Sequence, residues 1–167
     1  MSYDNSTTLW PYTEEHFFRD RELKPRGQFG STCVSTALAV LTGAEPESFQ
    51  GVVNTQNPVS WSEALRDYGM KLAYCPFDVR KLKHYMEELL QLDDLFLLCY
   101  YSPMNPSLLA DPDSTGWVCG SHVVVLHRDQ VLDSLLGYQA PANQHDCRHH
   151  YTKRLFRVVP VDHPRGV

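Results

Sequence analysis

The sequence lacks any hydrophobic run long enough to span a bilayer, and residues 1–8 are polar, with no apolar region of the kind that directs secretion. It also lacks a basic excess. Fifteen Lys and Arg stand against twenty Asp and Glu, a formal charge of −5, which argues against a general nucleic-acid binder. No CxxC pair occurs, and the five cysteines, Cys33, Cys75, Cys99, Cys119 and Cys147, are odd in number and irregularly spaced, which fits a reducing compartment better than a disulfide scaffold. These absences point to a soluble protein, cytoplasmic where it is made, with neither membrane nor nucleic acid as a partner. Delivery into another cell by a route without a cleavable signal is compatible with them. What is present is an ordinary globular composition: 43% apolar residues over 167 positions decides against disorder and suffices for one core without staples.

The stretch Gly27-Gln28-Phe29-Gly30-Ser31-Thr32-Cys33 reads as a glycine-flanked loop running into a helix. Either Ser31 or Thr32 can cap the helix start, Val34, Ala37, Leu38 and Leu41 recur at helical spacing, and Gly43 suits the left-handed position that ends a helix. Cys33 falls in the first turn, where the positive end of the helix dipole favours thiolate over thiol and makes a nucleophile. Five residues upstream, Gln28 offers a side-chain amide that, with the Cys33 backbone N–H, would form a two-donor oxyanion hole. The same residues also fit a buried structural cysteine in an apolar helix.

Residues 1–26 read as an arm that packs Trp10, Tyr12, Phe17 and Phe18 on a domain formed by residues 27–167. Within that domain a helical part, 27–92, precedes a sheet part, 93–161. Residues 60–69 make a short helix capped by Ser60 or Ser62 and stopped by Gly69, and 70–74 a strand. Residues 78–92 make an amphipathic helix with Asp78 as its cap and Val79, Leu82, Tyr85, Met86, Leu89 and Leu90 on its apolar face. The continuous apolar run 95–101 suggests a central strand buried on both faces, with Cys99 in the core. Residues 102–118, rich in Pro, Asn and Asp, have the length of a lid or binding loop, and Trp117 either lines a cleft there or closes the core edge.

On strand 120–127, alternation places His122, Val124 and Leu126 on one face and Val123, Val125 and His127 on the other. A turn at Arg128-Asp129 returns the chain along 130–135, which sets Asp133 one diagonal step from His122, close enough to fix the imidazole tautomer. Farther on, His145, Asp146, Cys147, His149 and His150 invite a metal reading, but adjacent residues point apart and the spacing lacks two separated ligand pairs, so the expectation is no metal and a polar loop flanking the cleft.

A Gln a few residues before Thr32-Cys33 at a helix start, followed by a small-residue and Leu-rich helix, resembles the active-site segment of papain-like cysteine peptidases. The closest likeness is to the compact double-glycine peptidases that process bacteriocin leaders. That resemblance implies a His on a later strand and an Asp or Asn on the next, and Gly120-Ser121-His122-Val123-Val124-Val125-Leu126 followed by Gln130-Val131-Leu132-Asp133 supplies them in the order Cys, His, Asp. It further implies an α+β fold in which an N-terminal helical part carrying Cys33 packs on an antiparallel sheet carrying His122 and Asp133. The expected activity is that of a cysteine hydrolase acting on a peptide or protein through an acyl-enzyme, without a cofactor. Cys33, His122, Asp133 and Gln28 are the catalytic set, and Trp117, Gly120 and Ser121 the substrate-binding set. Two other readings stand beside it. The His-Val-Val strand followed by an Asp strand also resembles amidases acting on N-terminal glutamine, so a glutamine amidase, deamidase or transglutaminase-like acyltransferase would use the same triad, and a catalytically silent peptide-binding module would keep the constellation without turnover.

Overall fold

The structure, a computed structural model, describes residues 8–28, 32–78, 80–104 and 118–167, with the backbone alone for 102–104 and 118–120. Its centre is an antiparallel sheet of six strands: β1 (Met70–Tyr74), β2 (Leu95–Met104), β3 (Val118–His127), β4 (Gln130–Asp133), β5 (Tyr138–Pro141) and β6 (Thr152–Pro160), in the order β1-β6-β2-β3-β4-β5. Among the described residues three α-helices, α1 (Cys33–Thr42), α2 (Pro58–Arg66) and α3 (Lys83–Leu92), pack with this sheet in an α+β arrangement. β1 comes from the part of the chain grouped above with the helices, and it pairs with β6 from Met70↔Pro160 to Tyr74↔Phe156.

Strand alternation builds two apolar layers. One face carries Leu95, Leu97, Cys99, Val123, Val125, Phe156 and Val158 against α1 and α2. The other carries Phe96, Leu98, Tyr100, Val124, Leu126, Leu155 and Val159 against α3 and the segment of Leu9 and Trp10. β2 lies between β6 and β3 and contributes to both apolar layers, so it is paired on both edges and buried on both faces, as a continuous apolar run requires. The hairpin between β3 and β4 closes at His127↔Gln130, which puts the turn at Arg128 and Asp129; Arg128 takes a left-handed φ of 57° there. The ladder continues through Val125↔Leu132, the register that sets Asp133 a diagonal step from His122.

Helix starts depart from the sequence reading in instructive ways. α1 ends as expected, with Gly43 at φ 82° donating its N–H to the Ala39 carbonyl at 2.8 Å. Its first residue is Cys33, but Thr32 at the N-cap makes no capping bond, its Oγ1 instead standing 3.5 Å from Thr36 Oγ1; Ser31 lies outside the described residues. α2 begins two residues earlier than Ser60. Asn57 is the cap, accepting the Val59 N–H at 3.1 Å, and Pro58 fills the first turn, where its missing N–H costs nothing. Ser62 is buried instead, accepting the Leu72 N–H at 2.9 Å and donating to the Val167 carbonyl at 2.8 Å, so it ties α2 to β1 and to the last residue. α3 begins at Lys83, and Asp78 is not its cap. The Asp78 carboxylate accepts from the Tyr85 hydroxyl and pairs with Arg80 at 3.0 Å. Residues 80–82 are drawn into extended pairing with 150–152 through Thr152 N–H to Arg80 O and Leu82 N–H to His150 O, both at 2.9 Å, which removes them from the helix. Val79 lies outside the described residues.

The N-terminal arm is tied down by a buried charge. Arg157 of β6 is wholly buried, donates to Asp94 Oδ2 and to the Glu15 carbonyl at 2.6 Å each, and lies under the rings of Trp10 and Phe17 at 4.7 and 4.9 Å. Asp94, equally buried, also accepts the N–H groups of Phe17 and Phe18 at 2.7 and 2.9 Å.

Candidate active site

β4 pairs with only the last three residues of β3, so the β3 edge at His122 is open on the side where β4 ends. Into that opening comes the chain ahead of α1. Gln28 donates its backbone N–H to the Ser134 carbonyl at 3.0 Å, and Gly137, at φ 74°, turns the 134–137 segment so that its backbone lies against Gly27. α1 thereby brings Cys33 from one face of the sheet to the His122 ring, which stands on the other face with Val124.

The resulting contacts join all three members of the sequence-derived triad. The Cys33 side chain lies near enough to His122 to favour its protonated ring. His122 Nε2 lies 2.7 Å from Asp133 Oδ1, and both side chains are about 95% buried. With Nε2 committed to the carboxylate, Nδ1 is the ring nitrogen left to exchange a proton with the thiol. Burial works against a charged His122, but the hydrogen bonds to Asp133 and Cys33 and the attraction of both groups outweigh it and raise the imidazole to about 9. Burial opposes the ionised form of Asp133 too, and the two histidines bonded to it more than compensate, holding its carboxyl far below the ordinary carboxylate range. Tyr100 sets its ring edge-on to His122 at 5.7 Å and closes the apolar side.

Cys33 differs from the other cysteines whose side chains are described. It is half-buried, whereas Cys75, Cys99 and Cys147 are buried, and burial pushes each of those thiols up to about 12. They are therefore core residues with little thiolate near neutral pH.

Two site residues escaped the sequence reading. The first is His145, read above as part of a polar loop: it is buried, and its Nε2 lies 2.8 Å from Asp133 Oδ2. Its Nδ1 accepts the Cys147 N–H at 2.9 Å, which fixes the tautomer with the proton on Nε2. Asp133 is thus clamped through both oxygens, with the Leu135 N–H adding a third bond at 3.0 Å. The signal was the His-rich cluster itself, whose other ionic contact, His150 Nε2 to Asp146 Oδ2 at 2.8 Å, is confined to the surface. Among the described residues no group of three or more His, Cys, Asp or Glu is arranged to hold a metal ion.

The second is Ser134, whose hydroxyl donates to Gln28 Oε1. An amide whose oxygen is held has its NH2 end directed elsewhere, so Ser134 orients Gln28 as a donor. If Gln28 serves an oxyanion, Ser134→Ala should lower kcat by about ten-fold with little change in KM, and the loss should vanish in a Gln28→Ala background. Additive losses in that double-mutant cycle would remove Ser134 from the site.

Of the substrate-binding candidates, Trp117 lies outside the described residues. Gly120 sits on β3 opposite Ser102, and Ser121 follows it, its Oγ accepting from Lys153 Nζ at 3.2 Å. Comparison with known protein families, curated proteins and solved structures returns no match. No helix among the described residues is long and apolar enough to cross a membrane.

Proposed function

We propose that this protein is a cysteine hydrolase of papain-like type that cleaves a peptide or amide bond through an acyl-enzyme on Cys33. The observation that carries the reading is a buried His122 held by a carboxylate clamped through both oxygens, with the half-buried helix-start thiol of Cys33 near enough to favour the protonated ring. His122 Nδ1 takes the thiol proton, and the sulfur attacks the carbonyl carbon of a peptide or protein substrate. The oxyanion is met by the Cys33 backbone N–H and the Gln28 amide. His122 then delivers its proton to the leaving nitrogen as the C–N bond breaks, and water, deprotonated by the same ring, releases the acyl group and restores the thiol. Asp133 keeps the imidazole in the required tautomer and stabilises its charged form.

Alkylation tests this without knowing the substrate. With a small excess of iodoacetamide at pH 6, Cys33 should be modified at least about a hundred-fold faster than Cys75, Cys99 and Cys147, and the advantage should disappear in His122→Ala. Uniform slow labelling would favour a peptide-binding module instead. Product analysis separates the enzyme readings: peptide hydrolysis leaves two fragments, whereas a glutamine amidase leaves the peptide whole and releases ammonia.

A further inference from the structure

The sheet face that carries α1 continues past the helix start, and what lies there is positively charged. Cys99 and Tyr101 on β2 and Ser121 and Val123 on β3 alternate onto that face, with Tyr101 directly opposite Ser121. β6 contributes Arg154, opposite Cys99, and Lys153, which sits at the irregularity where the β2–β6 register shifts. Lys153 Nζ reaches Ser121 Oγ at 3.2 Å and stands 5.6 Å above the Tyr101 ring. Both cations are half-buried, and among the described residues neither forms an ion pair with a carboxylate. Cys33 packs against the apolar layer that holds Cys99 and Val123 on this face, and it is among the charges felt by Lys153. Partial burial, with Arg154 close by, lowers the Lys153 ammonium from its ordinary range.

We infer that Lys153, Ser121 and Arg154 form a carboxylate subsite next to Cys33, so that the preferred substrate is a peptide with an acidic side chain close to the bond attacked. This rests on the cysteine-hydrolase reading and narrows its substrate class. A half-buried ammonium already directed by a hydroxyl and an aromatic ring needs little reorganisation to receive an anion. Ser121 can turn its own O–H to the same carboxylate while still accepting from Lys153. The face excludes a cationic residue by repulsion, which gives specificity as well as attraction.

The test compares two alkylating agents of nearly equal size on the full chain: iodoacetate, which carries a carboxylate, and neutral iodoacetamide. In each the sulfur displaces iodide from the same methylene carbon, so the ratio of their rates at Cys33, normalised to free glutathione, reads recognition of the carboxylate. Lys153→Gln should lower that ratio about ten-fold, Arg154→Gln should lower it less, and Lys153→Arg should keep it within about two-fold of wild type. Malonate should slow iodoacetate on the unmodified protein, an arm that needs no variant to fold. A ratio unchanged in both Gln variants, or iodoacetate labelling indifferent to malonate, overturns the subsite while leaving the hydrolase reading in place. A Cys33 that iodoacetamide does not select overturns both.

Discussion

Cys33→Ala and His122→Ala are expected each to lower kcat/KM for peptide or amide hydrolysis by at least about 10⁴-fold, and combining them should cost little more, because nucleophile and base act as one unit. The measurement is mass spectrometry of a peptide library incubated with wild type and with each variant, alongside thermal unfolding to show that Cys33→Ala remains folded. Hydrolysis surviving in Cys33→Ala would end the proposal. The same pair fixes the pH dependence. Because His122 is raised to about 9, the imidazolium that must protonate the leaving nitrogen persists up to that pH and is lost above it, so the alkaline limb of kcat/KM should lie near pH 9. Asp133→Asn removes a hydrogen-bonded negative charge that favours the imidazolium. Its alkaline limb should therefore move down towards the ordinary histidine value of about 6.5. An alkaline limb that stays near 9 in Asp133→Asn would mean that some other group sets it.

The largest stability effect should come from the buried pair beneath the arm. Arg157→Leu or Asp94→Leu strands one charge in a dry interior, and breaking such a pair costs about 3–5 kcal/mol, equivalent to roughly 10–15 °C in Tm for a chain of this size. Asp94→Leu also deprives the Phe17 and Phe18 N–H groups of their acceptor, so limited proteolysis should cut the arm first. The double replacement Arg157→Met with Asp94→Leu should recover part of the loss, since an apolar pair leaves no unpaired charge. A Tm within about 2 °C of wild type in both single variants would show that the arm is held by apolar packing of Leu9 and Trp10 instead.

The parts legible in the sequence are those in which short-range pattern and tertiary demand coincide. α1 was readable because Val34, Ala37, Leu38 and Leu41 share a face that the sheet buries and Gly43 supplies the left-handed stop. The β3–β4 register followed from alternation meeting a two-residue turn, and it carries the juxtaposition of His122 with Asp133. Where distant segments compete for a backbone, local rules failed. Residues 80–82 pair with 150–152, which no window around Asp78 could reveal. Asn57-Pro58 is a complete cap-and-first-turn signal, standing just ahead of Ser60 and Ser62, which the sequence offered as caps. His145 and Ser134 join the site through partners 12 and 106 positions away, so their roles needed coordinates. Arg157 is wholly buried, a burial intelligible only once Asp94 and the arm are in place.

The meeting of thiol and imidazole past the end of β4 also makes the β3–β4 hairpin a ruler. Deleting one residue between His122 and the turn would reverse which side of the pleat the imidazole leaves from, turning it under α1 and putting Ser121 in its place. Tolerance to mutation in this stretch should accordingly depend on residue count far more than on side-chain size: swaps among Val123, Val124 and Val125 can be absorbed by repacking, whereas a single-codon indel cannot.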